Sequence, residues 1–117
     1  MYVGYKYKVK NIVKIYDGDT ITVELDLGFH TTRTESLRLS RINAPEIRGD
    51  EREEGLKSRD WLRATLYTAM KEGKEVVVET FKDKKGKYGR YIAEVYIDGS
   101  NVNSQLVTEG LAVFKEY

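Results

Sequence analysis

No cysteine occurs anywhere in the 117 residues. Disulfides and thiolate metal centres are therefore excluded. Histidine occurs once, as His30, which removes multi-histidine zinc centres and leaves oxygen-ligated cations as the metal chemistry open to this chain. Proline also occurs once, as Pro45, so a single position carries whatever rigid turn the fold requires. No apolar run approaches the roughly 20 residues of a membrane span. The opening residues, Met1-Tyr2-Val3-Gly4-Tyr5-Lys6, lack the apolar stretch of a signal peptide. The expectation is a cytoplasmic protein as written, or a secreted one if a leader precedes this numbering. No membrane, no obligatory protein partner and no assembly beyond a monomer is called for.

Charge is what the sequence has in quantity. Charged residues make up 33% and hydrophobic residues 40%, a balance that suits a globular chain rather than a disordered one. The length predicts one domain over residues 1–117, with one modest core. A net charge of +1 conceals clustering, because acids crowd residues 50–54 and bases crowd residues 82–90.

Periodicity outlines the elements. Tyr5, Tyr7, Val9, Ile12, Val13 and Ile15 predict a first strand. Asp17-Gly18-Asp19-Thr20 is a turn, and Ile21, Val23 and Leu25 alternate with polar residues to complete a hairpin. Residues 28–34 read as a polar loop in which His30 is a solvated residue. Leu37-Arg38-Leu39-Ser40-Arg41-Ile42 predicts a third strand, stopped by Pro45, which has no N–H for a ladder. Gly49 and Asp50 introduce a helix. Asp50 and Glu53 have capping-box spacing, and Leu62, Leu66, Ala69 and Met70 form a core-facing stripe beside Trp61 and Thr65. Gly73 is the C-cap. Val76-Val77-Val78 with Phe81 and residues 91–97 predict two more strands, and residues 102–109 a short helix ended by Gly110. This order predicts an α+β, mainly β fold. It is a five-stranded barrel of the oligonucleotide/oligosaccharide-binding type, with one long helix after the third strand and one or two short C-terminal helices.

Residues 37–46 place Arg38, Asn43 and Glu46 on one strand and the turn after it, a pattern suited to a phosphate-and-metal site or to an ordinary solvated strand edge. Lys82, Lys84, Lys85, Lys87 and Arg90, opposed only by Asp83, form a basic segment that either tracks a nucleic-acid backbone or is simply solvated.

Three motifs then stand in order: Asp17-Gly18-Asp19-Thr20, residues 38–46, and Lys87-Tyr88-Gly89-Arg90. Together with Val102-Asn103 and Glu109-Gly110-Leu111-Ala112, their order and spacing resemble the staphylococcal nuclease (thermonuclease-like) family over about residues 12–114. The resemblance implies a calcium-dependent phosphodiesterase acting on single-stranded DNA and/or RNA. It implies that Asp19 binds the metal together with position 43 and the main chain of Ala44. It further implies that Arg38 and Arg90 contact the scissile phosphate, that Glu46 is the general base, and that Lys87 and Tyr88 lie beside the substrate. Tyr117 is the candidate for a base-facing aromatic residue.

The chemistry agrees with these assignments. Attack on a phosphodiester builds negative charge that a cation and two guanidinium forks stabilise, and water needs a carboxylate to take its proton. The chain departs from the family at Asn43, where the family usually carries Asp. An amide oxygen can still face calcium, but the loss of one charge weakens binding toward the range of roughly 10⁻⁴–10⁻³ M. The competing reading is a nuclease-fold module that binds nucleic acid without cutting it. Retention of Asp19, Arg38, Glu46 and Arg90 together favours the enzyme.

Overall fold

The computed structural model describes residues 4–82 and 91–115. Strands β1 (Tyr5–Asp17), β2 (Thr20–Asp26) and β3 (Thr32–Leu39) form an antiparallel meander. A two-residue strand β4 (Ile42–Asn43) follows, then a 3₁₀ turn (Gly49–Glu51) and the long helix α1 (Arg52–Lys71). Next come β5 (Val76–Lys82), β6 (Tyr91–Ile97), β7 (Ser100–Asn101), α2 (Val102–Thr108) and β8 (Val113–Phe114). The main sheet runs β3-β2-β1-β5-β6-β7, and β3 also pairs with β6, so five strands close on themselves. This is the barrel expected, with one long helix after the third strand and a short one near the C-terminus.

The alternation read from the sequence becomes the barrel's inside. Ile15, Ile21, Val23, Leu37, Leu39, Val78 and Val95 are all sealed from solvent, and Leu62 and Leu66 of α1 close one side of the core. Each leucine so buried contributes roughly 1.5–3 kcal/mol. Both helices end in the same way. Gly73 takes φ +74° while Lys74 N–H reaches Ala69 C=O at 2.9 Å, and Gly110 takes φ +75° while Leu111 N–H reaches Leu106 C=O at 2.8 Å. Such left-handed caps satisfy carbonyls that the helix itself leaves open, and glycine adopts them without strain.

Three local outcomes differ from the sequence pattern. β3 begins at Thr32 rather than after a loop to residue 34, because polar Thr32, Arg33 and Thr34 find ladder partners in Asp26, Leu25 and Glu24. β3 ends at Leu39 and not at Pro45, because Arg41 turns left-handed, with φ +65°, and breaks the alternation. Asp50 caps nothing. It falls within the 3₁₀ turn, and Glu51, at the N-cap of α1, makes no capping bond to that helix.

A non-glycine residue at φ +65° is strained, and the neighbourhood supplies the compensation. Glu94 on β6, 7% exposed, accepts from Arg41 Nη2 at 2.6 Å, Arg41 Nε at 3.0 Å and Asn101 Nδ2 at 2.8 Å, and also from Ser40 Oγ. Buried Asn103 ties the same turn down, donating to Ser40 C=O and Ala93 C=O at 3.0 Å each. Burial opposes the charge on Glu94, but hydrogen bonds from Arg41, Ser40 and Asn101 outweigh it and leave the carboxyl below its usual range. Because the folded pKa is depressed, this stability is present at neutral pH and is lost as pH falls below the ordinary glutamate value of 4.5. Glu94→Gln should lower unfolding free energy by about 2 kcal/mol at pH 7. The gap to wild type should narrow by pH 3, as read by denaturant titration at both pH values.

Candidate functional site

The hairpin turn between β1 and β2 brings two carboxylates to one end of the barrel. Asp17 and Asp19 are each 6% exposed, although both are charged residue types in a turn. Gly18 between them is required by space. A Cβ there would lie 2.8 Å from both Ala44 Cβ and Ser58 Cβ, so the turn is packed directly against the segment after β4 and against α1.

Asp19 is the hub. Its Oδ2 accepts the Ala44 N–H at 2.8 Å and faces Arg38 Nη2 at 3.3 Å, while its Oδ1 accepts from Thr20 Oγ1 at 3.2 Å. Its carbonyl accepts from Leu39 N–H at 2.8 Å, which fixes the turn against β3. Arg38 leaves β3 opposite Thr20 in the ladder. Its Nη1 donates to the carbonyls of Leu39 and Ile42 at 2.9 and 3.1 Å, and its Nη2 donates to Asn43 Oδ1 at 3.2 Å. The guanidinium is thus held in one orientation by main-chain and side-chain oxygens.

Of the residues singled out from the sequence, Asp19, Arg38, Asn43 and Ala44 meet in this cluster. Glu46 lies three residues past Asn43, exposed, with its N–H donating to Glu51 Oε2 at 2.9 Å. Lys87, Tyr88 and Arg90, and Tyr117, lie outside the described residues. His30 is exposed in the loop between β2 and β3, as expected.

Asp17 was not among the expected site residues, and the structure adds it. Burial, first, and then Asp19's side chain push its carboxyl from 3.8 up to about 7, with a further push from the charge of Glu46; the Asp19 N–H at 3.0 Å on Oδ1 works the other way. The spacing of two aspartates across one glycine was the available signal. Nothing local showed that both would be buried. Among the described residues, no three His, Cys, Asp or Glu side chains form a metal cluster by themselves. The oxygens gathered around Arg38 are instead those of the Asp19 carboxylate and the Asn43 amide, both hard.

A family model described as staphylococcal nuclease homologue matches residues 36–117. The chain is similar to an uncharacterized endonuclease of Haemophilus influenzae, 33% identical over 91% of this chain and 52% of that protein. It is 32% identical to endonuclease YncB of Bacillus subtilis over 82% of this chain and 43% of that protein. It is 28% identical to the thermonuclease of Staphylococcus hyicus over 91% of this chain and 59% of that protein. The chain thus spans about half the length of the curated relatives it matches.

The raised Asp17 carboxyl sets a pH dependence of stability. A folded pKa above the unfolded value contributes stability below pH 4 that disappears as pH rises through about 7. Asp17→Asn keeps an acceptor for the Asp19 N–H and cannot ionise. In chelator it should melt about 5 °C or more above wild type at pH 8 and level with it near pH 4. Thermal melts between those pH values read the difference.

Proposed function

We propose, from the premise that this chain belongs to the staphylococcal nuclease homologue family, that it is a calcium-dependent phosphodiesterase hydrolysing single-stranded DNA and/or RNA. The observation that carries this reading is the fixed Arg38 fork beside the Asp19 carboxylate and the Asn43 amide, with Glu46 on the turn that follows. Names of relatives that contain endonuclease or thermonuclease support the same reading.

The residues divide the work by their chemistry. Glu46 is an exposed carboxylate able to take a proton from the attacking water. Arg38 is permanently charged and held beside Asp19 and Asn43, and its fork meets the negative charge that develops on the phosphoryl oxygens by exchanging its present Nη contacts for them. Arg90 is the second guanidinium in this proposal, and Lys87 and Tyr88 hold the flanking phosphate. Asp19, Asn43 and the Ala44 main chain would hold calcium, whose positive charge, when bound, neutralises the scissile phosphate. Contacts of this kind read phosphate rather than base edges, so little sequence preference is expected.

Cleavage of single-stranded DNA and of RNA, each with calcium or chelator, tests the proposal. Calcium-dependent cleavage is expected, and Glu46→Gln should lower turnover about 10²–10⁴-fold with substrate binding retained. Arg38→Ala should also lower turnover, by about 10²-fold. Binding without cleavage at saturating calcium would instead identify a nucleic-acid-binding module.

Asn43→Asp tests the metal set. The added charge should lower the calcium concentration for half-maximal activity by about tenfold, in line with the dependence of affinity on ligand charge. In the cation-free protein Arg38 Nη2 already sits 3.2 Å from the atom that would become a carboxylate oxygen, so the new charge has a partner and the fold should tolerate it. Calcium titrations followed by activity and by melting temperature check both expectations. Equal calcium dependence in the two proteins would remove position 43 from the metal set.

A further inference from the structure

We infer that the start of α1 is a positioning clamp for Glu46, in which Glu51, Arg52 and Gly55 fix the main chain of Glu46 and Ile47 and with it the direction of the Glu46 side chain. The inference rests on the reading of Glu46 as the proton acceptor.

Three separate contacts converge on two consecutive residues. Glu51 Oε2 accepts the Glu46 N–H at 2.9 Å. Arg52 Nη1 donates to Ile47 C=O at 2.9 Å. At Gly55 the helix comes so close that an added Cβ would lie 2.1 Å from Glu46 O, 2.5 Å from its carbonyl carbon and 2.9 Å from Ile47 N. The first two are charge-assisted hydrogen bonds, the stronger kind. The third is a contact with main-chain atoms, which cannot swing aside as the end of a side chain would.

Helix formation does not ask for either residue in the form found. Glycine inside a helix is about 1 kcal/mol worse than alanine. Gly55 also has no left-handed φ to justify it, unlike Gly49 at +65° in the turn just before α1. What Gly55 supplies is room for the Glu46 carbonyl. Glutamate is not among the preferred N-cap residues, so capping does not account for Glu51 at the N-cap. Its carboxylate makes no bond to its own helix and reaches back to Glu46. The segment held in this way is otherwise exposed at Glu46, where an unheld loop residue would sample many directions. For a proton acceptor, a shift of about 1 Å is worth up to 10²-fold in rate, so the clamp couples the geometry of α1 to turnover.

The test is a set of mutant cycles. Glu51→Ala, Glu51→Gln and Gly55→Ala are made in wild type and in the Glu46→Gln background, and turnover and KM are measured on single-stranded DNA with calcium. Exchange of the Glu46 amide proton is followed by NMR. In the wild-type background Glu51→Ala should lower turnover about tenfold and Gly55→Ala about 10–100-fold, with KM changed less than about twofold. Glu51→Gln keeps an acceptor oxygen and should recover most of the loss. The Glu46 amide should exchange faster in Glu51→Ala. In the Glu46→Gln background the same changes should add less than about a twofold loss, since a clamp acts only through the carboxylate it directs. Equal losses in both backgrounds, or unchanged turnover in Glu51→Ala, would overturn the clamp. If Gly55→Ala does not fold, the exposed Glu51 variants decide the matter alone. A wild-type protein that cuts neither DNA nor RNA, or a Glu46→Gln protein with wild-type turnover, would overturn the role of Glu46 itself, and is recognised before any clamp variant is compared.

Discussion

Parallel pairing of β3 with β6 closes the barrel, and the candidate site hangs on that seam. Leu37, Arg38 and Leu39 sit opposite Tyr91, Ile92 and Ala93. Arg38 therefore leaves the sheet at the closure itself, and the chain beyond Leu39 turns away along the neighbouring strand. Ser40 N–H reaches Ala93 C=O at 2.9 Å, and the next residue of β6, Glu94, takes hold of Ser40 and Arg41. Parallel strands cannot be joined by a tight turn and need a long crossover. Here that crossover contains α1, which is why a helix lies against the hairpin turn and the segment after β4.

Electrostatics at this end of the barrel are unbalanced, and the imbalance fits the proposed chemistry. Asp19 has Arg38 as an ion-pair partner with side chains 8% and 12% exposed, whereas Asp17 has no ion pair among the described residues. Burying a second acid beside the first is unfavourable unless it stays protonated or meets a cation. A fold that keeps such a pair gives up some stability at neutral pH. Strongly shifted carboxyls of this kind concentrate at functional sites.

The same close packing explains the rigidity of the site. Gly18 and Gly55 are places where the turn and the Glu46 main chain press against neighbours with no room for a methyl group. Neither glycine has a positive φ, so the requirement is proximity between elements and not freedom of the backbone.

Much was legible in the sequence, because it depends on near neighbours along the chain. Alternating apolar residues marked the strands, the Leu62, Leu66 and Ala69 stripe marked α1, and Gly73 and Gly110 marked its end and that of α2. The order of Asp-Gly-Asp-Thr, the Arg38 to Glu46 segment and Lys-Tyr-Gly-Arg pointed to the family. Tertiary structure alone decided the rest. Arg41 breaks β3 because a buried Glu94 more than fifty residues later holds it in a left-handed turn. Glu51 accepts the Glu46 N–H because the turn brings that amide within reach. Asp17 retains its proton toward neutrality because the fold buries it beside Asp19. Burial, close approach and charge proximity join residues far apart in sequence, so no local pattern carries them.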